Sequence, residues 1–305
     1  MLALAVPAGL AAAGDGPFAR VLLWTAPGAE FTELAEQPRQ CPRSNLAAGA
    51  SAEALAAGEA LFNSPALLGG QASKAGLSCA ACHRGGRDNP HFLMPQLSGA
   101  PGTADVTNSF FGPQRANARF DPVVIPDLAM PGKISRAPGN PELARFVRNL
   151  VVEEFSGAEP SPAMLDALTA YVRTIGACPA EGGKAQPRRL ADQLRLIDQV
   201  LVGARAASSD AALRRQLIAA ARHQLGLIDE RYALRHAALR RDLLAASRDL
   251  ARIGEDDARW HPALQKWHAH FASRLAPRLR QQEAASFYDP ARLRRALGHV
   301  VSPPQ

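Results

Sequence analysis

Five consecutive residues, Cys79-Ala80-Ala81-Cys82-His83, restrict the fold of this 305-residue chain more than any other feature. Two thiols three positions apart reach one edge of a porphyrin, where each joins a vinyl group, and the adjacent imidazole then lies under the ring to bind iron. A chain with this run must build a pocket around a flat, apolar, covalently held plate. One run implies one haem c, with Cys79 and Cys82 as thioether anchors and His83 as proximal ligand. Two other uses of a close cysteine pair compete with this reading. Structural zinc takes about four N or S ligands, usually from a second close-spaced pair, whereas Cys41 and Cys178 stand alone and far away. A thioredoxin-like dithiol sits in a βαβ pattern, and none surrounds residue 79.

Covalent haem is attached outside the cytoplasm in bacteria, so an export signal is expected. Leu2 to Ala13 is an apolar stretch ending in three alanines, which reads as a signal segment (1–13) without its charged leading part. No later stretch reaches about 18 apolar residues, so no membrane span is expected. The chain is 47% hydrophobic, 21% charged and only 6% aromatic. Abundant Ala and Leu favour helices over sheets. Residues 1–182 carry 13 Lys and Arg against 16 Asp and Glu, net −3, and residues 183–305 carry 22 against 12, net +10. The overall +7 therefore belongs to the second half. Between the halves, the breaker-rich stretch from Cys178 to Pro187 reads as a linker at 179–187.

The first half, after an N-terminal segment at 14–45, predicts a small all-α haem domain over 46–178. Ala52 to Phe62 has helical spacing and ends at Asn63-Ser64-Pro65. Pro141 to Phe155 predicts a second helix with Leu143, Phe146, Val147 and Leu150 on one face. Ser161 followed by Pro162 signals the start of a third, which runs to Gly176. Between His83 and Asn140 the chain is rich in Pro, Gly and Asn with little periodicity, as suits a segment wrapped on a cofactor.

Gly58-Glu59-Ala60-Leu61-Phe62-Asn63-Ser64-Pro65-Ala66-Leu67, followed by Leu77-Ser78-Cys79-Ala80-Ala81-Cys82-His83, resembles the opening of bacterial cytochrome c peroxidases and the related methylamine-utilisation MauG proteins. The helix around Leu168 to Ile175 is similar to the last helix of cytochrome c domains. This resemblance covers about residues 46 to 178 and implies a cytochrome c-like fold. Those peroxidases carry two C-x-x-C-H haems; this chain has one. Their peroxidatic half also places a His on a Ser-x-Gly-like turn after the motif, whereas Gln96-Leu97-Ser98-Gly99-Ala100-Pro101-Gly102 has none.

The sixth iron ligand decides the chemistry: a Met thioether closes the site and suits electron transfer, and an open position admits peroxide. Met130, in Pro126-Asp127-Leu128-Ala129-Met130-Pro131-Gly132, is the leading candidate. Met94, His91 and an open site are alternatives, and Met164 lies on a helix face suited to core. Cys41 and Cys178 flank the domain and predict a disulfide in an oxidising compartment.

Residues 188–305 predict a basic antiparallel helical bundle with stripes at Leu190, Leu194, Ile197 and Leu201, then Leu213, Leu217, Ile218, Ala221 and Leu225. Tyr232, Leu239, Leu243 and Leu250 mark a third stripe, and Leu264, Trp267, Phe271 and Leu275 a fourth. Its arginines suit solvated faces with ion pairs, or docking of an acidic redox partner or anionic lipid headgroups. Export argues against nucleic acid. His223, His236, His261, His268, His270 and His299 lack a visible ligand cluster for a metal. The expected protein is an exported, periplasmic mono-haem c-type cytochrome carrying single electrons. A peroxidase-like enzyme acting on H2O2, and a haem-bearing sensor or structural subunit, are the alternatives.

Overall fold

The computed structural model describes residues 19–41, 49–178, 185–207, 209–233 and 235–298. The expected signal segment, residues 179–184 of the expected linker, and His299 lie outside them. The described chain is mostly helical with a few two-residue strands, in keeping with the all-α expectation. Helix α1 (Glu30–Ala35) and strand β1 (Glu36–Gln37) lead to α2 (Ala52–Phe62), the short α3 (Gly70–Lys74) and the single turn α4 (Cys79–Cys82). The irregular stretch that follows contains β2 (Thr103–Ala104) and β3 (Val123–Val124), paired antiparallel. Next come α5 (Glu142–Asn149), which loosens into a π-helical turn over Leu150–Glu154, and α6 (Pro162–Thr174).

Strand β4 (Gln186–Pro187) pairs antiparallel with β1, Glu36 opposite Pro187, so the end of the expected linker is docked on the N-terminal segment. The second half holds α7 (Leu190–Ala206), α8 (Ala211–Arg231), α9 (Ala237–Glu255) and α10 (Trp260–His270). Helix α10 continues through a π-helical turn, Phe271–Leu275, into α11 (Ala276–Gln281), and α12 (Pro290–Gly298) packs back on α1. Helices α7, α8, α9 and α10 each pack on the next, and α10 returns to α7. All seventeen residues of the four predicted apolar stripes are buried. Tyr232 closes α8 instead of opening α9, and its hydroxyl donates to the Leu279 carbonyl at 2.6 Å.

Local chemistry explains where the helices of the first half start. The Ser51 hydroxyl accepts from the Ala54 amide at the head of α2, and Ser161 does the same for Met164 at the head of α6. Ser161 also donates to Asp210, which caps α8 through the Leu213 amide, so one hydrogen bond joins two helix N-termini. Gly58 sits inside α2 despite the roughly 1 kcal/mol that glycine costs there. A Cβ at that position would lie 2.0 Å from the Ala167 carbonyl oxygen, so α2 and α6 cross at backbone contact. The crossing buries Leu61, Phe62, Leu168 and Tyr171, with the Phe62 and Tyr171 rings 5.3 Å apart. Helix α2 also packs on α7 and α8, and one apolar core runs without a break from Leu61 and Leu168 to Ile197 and Leu217.

Among the described residues, six of the twenty arginines on the basic half form ion pairs, and four of these pairings join separate segments. Arg240 meets Asp229, Arg278 meets Asp242, and buried Arg214 pairs with Asp257 while stacking on Trp260. Among the described residues, no helix is long and apolar enough to cross a membrane.

Candidate haem site

Helix α4 is a single turn whose back is pinned by core. Leu77, Ala81, Trp24 and Phe92 are buried together in a second apolar cluster. The buried amide of Asn89 donates to the Ala81 carbonyl at 2.9 Å, satisfying a helix-end acceptor. Arg84, immediately after His83, is also buried. It pairs with Glu33 at 3.2 Å and donates to the Thr32 and Glu36 carbonyls, which fastens the motif to the N-terminal segment. Burial lowers the Arg84 pKa to about 10, with the Glu33 carboxylate opposing the shift. Gly86 has φ of +77°, and a Cβ there would come within 2.8 Å of the Ile175 side chain. The chain can leave the motif under the end of α6 only because this residue has no side chain.

Cys79 and Cys82 are one helical turn apart, on the same side of the turn, and neither forms a disulfide. Cys79 packs against the large core and Cys82 against the second cluster, so the two thiols stand at the seam of two apolar masses. Burial pushes both thiols up to about 12, which keeps them protonated.

His83 Nδ1 lies 3.1 Å from the Pro126 carbonyl oxygen. A carbonyl can only accept, so Nδ1 carries the proton and Nε2 of the neutral ring is a bare donor atom, the arrangement of a metal-ligating histidine. Burial lowers the His83 pKa and so favours this neutral form, with the Pro126 contact opposing. The segment that supplies this carbonyl is itself clamped. Asp127 accepts from Arg87 Nε at 2.8 Å and Nη2 at 2.6 Å, and its Oδ1 accepts from the Ala129 amide. The bidentate guanidinium pairing and the Ala129 amide hold the Asp127 carboxyl below its usual range against the effect of burial.

These residues fit haem c. The thiols share one side of a turn, and the adjacent imidazole holds its Nδ1 against a carbonyl. Five of the eight large apolar side chains exposed among the described residues, Phe120, Val123, Val124, Met130 and Phe146, lie within twenty residues of Pro126. Of the face shared by Leu143, Phe146, Val147 and Leu150, only Leu143 is fully buried and Phe146 is exposed. Among the described residues, no three His, Cys, Asp or Glu side chains converge to hold a metal ion. A structural zinc takes about four such ligands. Haem c has no such need, because its sulfurs bind the ring periphery and only the imidazole meets the metal.

The expected disulfide is present: Cys41 is bonded to Cys178, 137 residues away. Met130 is 53% exposed, in a turn adjoining Pro126. Met94 is half-buried against the cluster on which Cys82 packs, and Met164 is buried in the main core. His91 holds its neighbours through its backbone, its carbonyl accepting from the Ala26 amide at 2.7 Å. On the basic half, His268 bridges Asp198 and Arg205, a carboxylate contact that sequence spacing did not reveal. His223 is held neutral by burial, which lowers its pKa to about 4.

Glu154 is the polar residue that sequence reasoning passed over. It sits in the π-helical turn after α5, is 4% exposed, and pairs with Arg115. Burial raises its pKa to about 7 against the pull of Arg115, and its charge acts on the Cys82 thiol. The sequence signal was an acidic pair inside an apolar run, Val151-Val152-Glu153-Glu154-Phe155, whose members stand about 100° apart on a helix, so that a narrow exposed face takes one and leaves the other inside. No protein-family profile, curated protein or solved structure matches the chain, so the site stands on its own residues.

Proposed function

We propose that the chain is an exported mono-haem c-type cytochrome that carries single electrons. The observation that carries this reading is the pairing of two free thiols on one helical turn with an adjacent imidazole whose outer nitrogen is taken by the Pro126 carbonyl. Cys79 and Cys82 would hold the haem as thioethers and His83 Nε2 would bind its iron. The bound group supplies a reversible one-electron couple. The chain's own part is to orient and shield it. Arg84 and Asn89 lock the turn, Pro126 sets the ring's tautomer and tilt, and the two apolar clusters keep water from the plate. Export agrees with the Cys41–Cys178 disulfide, since such bonds persist in oxidising compartments. The basic helical half, read as a bundle, supplies a positive surface for an acidic redox partner.

A second reading, a peroxide-reducing enzyme, draws on Glu154, a buried carboxyl near Cys82 with a pKa suited to proton transfer near neutrality. Expression of the full chain in a bacterium that matures c-type cytochromes tests both. Haem should stay with the polypeptide through denaturing electrophoresis, and Cys79→Ser with Cys82→Ser should abolish its retention. Reversible reduction without H2O2-dependent oxidation of a donor supports the carrier. Sustained peroxide turnover would make the protein an enzyme.

A further inference from the structure

We propose that a polar cleft between the two halves of the chain binds a small zwitterion of the amino-acid class. The cleft holds about 240 Å³. Pockets for drug-sized ligands run to roughly 300–1,000 Å³, so this one suits a smaller guest. Three helices supply walls: α2 with Glu59, the first turns of α7 with Asp192 and Arg195, and α8 with His223 and Gln224. The 3-10 turn Arg20–Trp24 and α4, through Ser78 and Ala80, complete the lining.

Several polar groups around the cleft lack partners. Gln224 is only 5% exposed, yet its side-chain amide makes no hydrogen bond among the described residues. The His223 imidazole, beside it in sequence, makes none either. Burial, with Arg20 adding to the effect, holds that ring neutral, so it offers one N–H and one bare nitrogen. Trp24 Nε1, Glu33 Oε1 and Arg188 Nε, all on residues that line the cleft, are buried without a hydrogen-bond partner. A buried donor or acceptor left unpaired is costly, and five such groups around one cleft mark it as a place for a polar guest.

Charge in the lining falls into two like-charged pairs. Arg188 has no carboxylate partner among the described residues, and its charge acts on Arg84, whose guanidinium burial already disfavours. Arg84 is matched by Glu33 at 3.2 Å and Arg20 by Glu230 at 3.3 Å, so Arg188 is the guanidinium left for a carboxylate. The acids form the second pair. Burial, opposed by Arg195, raises the Glu59 pKa, and the neighbouring Asp192 carboxylate adds to the shift. Gln37 donates to Asp192 at 3.2 Å, which leaves that charge uncompensated. An ammonium group beside Glu59 and Asp192 relieves their repulsion, as a carboxylate beside Arg188 relieves that of the arginines. A dianion would meet the acids and a dication the arginines, whereas a zwitterion suits both. Arg188 and Asp192 lie four residues apart at the head of α7, about one helical turn, so one small molecule can span the two charge types.

The test is calorimetric titration of the full-length protein with glycine, L-alanine and L-glutamine, and with propionate and ethylamine, which carry the two charges of alanine singly. At least one of the zwitterions should bind saturably, one guest per chain, and propionate and ethylamine should bind about tenfold more weakly or worse. Arg188→Ala should weaken the zwitterion by about tenfold. Gln224→Leu should weaken it severalfold while keeping the melting temperature of the ligand-free protein, which separates lost binding from lost folding. Propionate or ethylamine binding as tightly as any zwitterion would overturn the ligand class. Absence of binding by every zwitterion, or binding indifferent to both variants, would overturn the site. None of these results bears on covalent haem, on which the cleft does not depend.

Discussion

Replacing Gly58 by Ala sets two opposed effects against each other at the crossing of α2 and α6. Alanine gains about 1 kcal/mol of intrinsic helix preference over glycine. The new Cβ, however, would stand 2.0 Å from the Ala167 carbonyl oxygen and 2.7 Å from both the Ala167 carbonyl carbon and Tyr171 Cβ. Two of these neighbours are backbone, so no rotamer change relieves the contact. Ordinary separations are above 3.4 Å, so the helices must part by more than an ångström, which loosens Leu61, Leu168 and Tyr171, now nearly inaccessible to water. Overpacking of this kind costs about 1–3 kcal/mol or more, and the net effect should be a loss of at least about 1 kcal/mol. Gly203 on α7 is the control. Its added Cβ would meet Leu217, Glu53 and Ala57 at 3.6–3.8 Å, ordinary contact distances, so Gly203→Ala should gain about 0.5–1 kcal/mol. Urea unfolding of the two variants and the parent, followed by circular dichroism, reads both values. If Gly58→Ala matched or exceeded the parent in stability, the close crossing of α2 and α6 would be refuted.

Three further outcomes follow from named contacts. Cys41→Ala with Cys178→Ala opens a loop of 137 residues and should lower stability by about 5 kcal/mol in the chain-entropy model, and a melting temperature unmoved by reductant would contradict the bridge. Glu154 has a folded pKa raised from 4.5 to about 7, so its contribution to stability is full below the unfolded value and is lost as pH climbs through 7. Glu154→Gln should therefore flatten the decline in stability between about pH 5 and 8, and an unchanged slope would remove Glu154 as its source. Ser161→Ala removes the α6 cap and the link to Asp210 together and should cost about 1–2 kcal/mol in the same urea assay.

What was legible from the residue order was what short stretches of chain decide. The cap at Ser161 acts within three residues, and Cys79 and Cys82 share one helical turn by their spacing alone. Helical periodicity likewise foretold the buried stripes of α7 to α10, because a stripe is a property of one helix. The disulfide was inferred by elimination, from two leftover cysteines, and proved correct. Phe146 shares its predicted face with buried Leu143 yet is exposed, because periodicity says which residues share a face and is silent on what, if anything, covers it.

The candidate site drew less from the sequence. Pro126 stands 43 residues from the histidine whose tautomer it sets, Arg115 stands 39 from Glu154, and neither separation has a motif. Residue order alone thus specified the helical class and the spacing of the Cys79–His83 turn, both written locally. Folding decided which nitrogen of His83 meets the Pro126 carbonyl and how far the acid at 154 is buried. Those depend on distances between segments far apart in the chain, which only packing brings to a definite value.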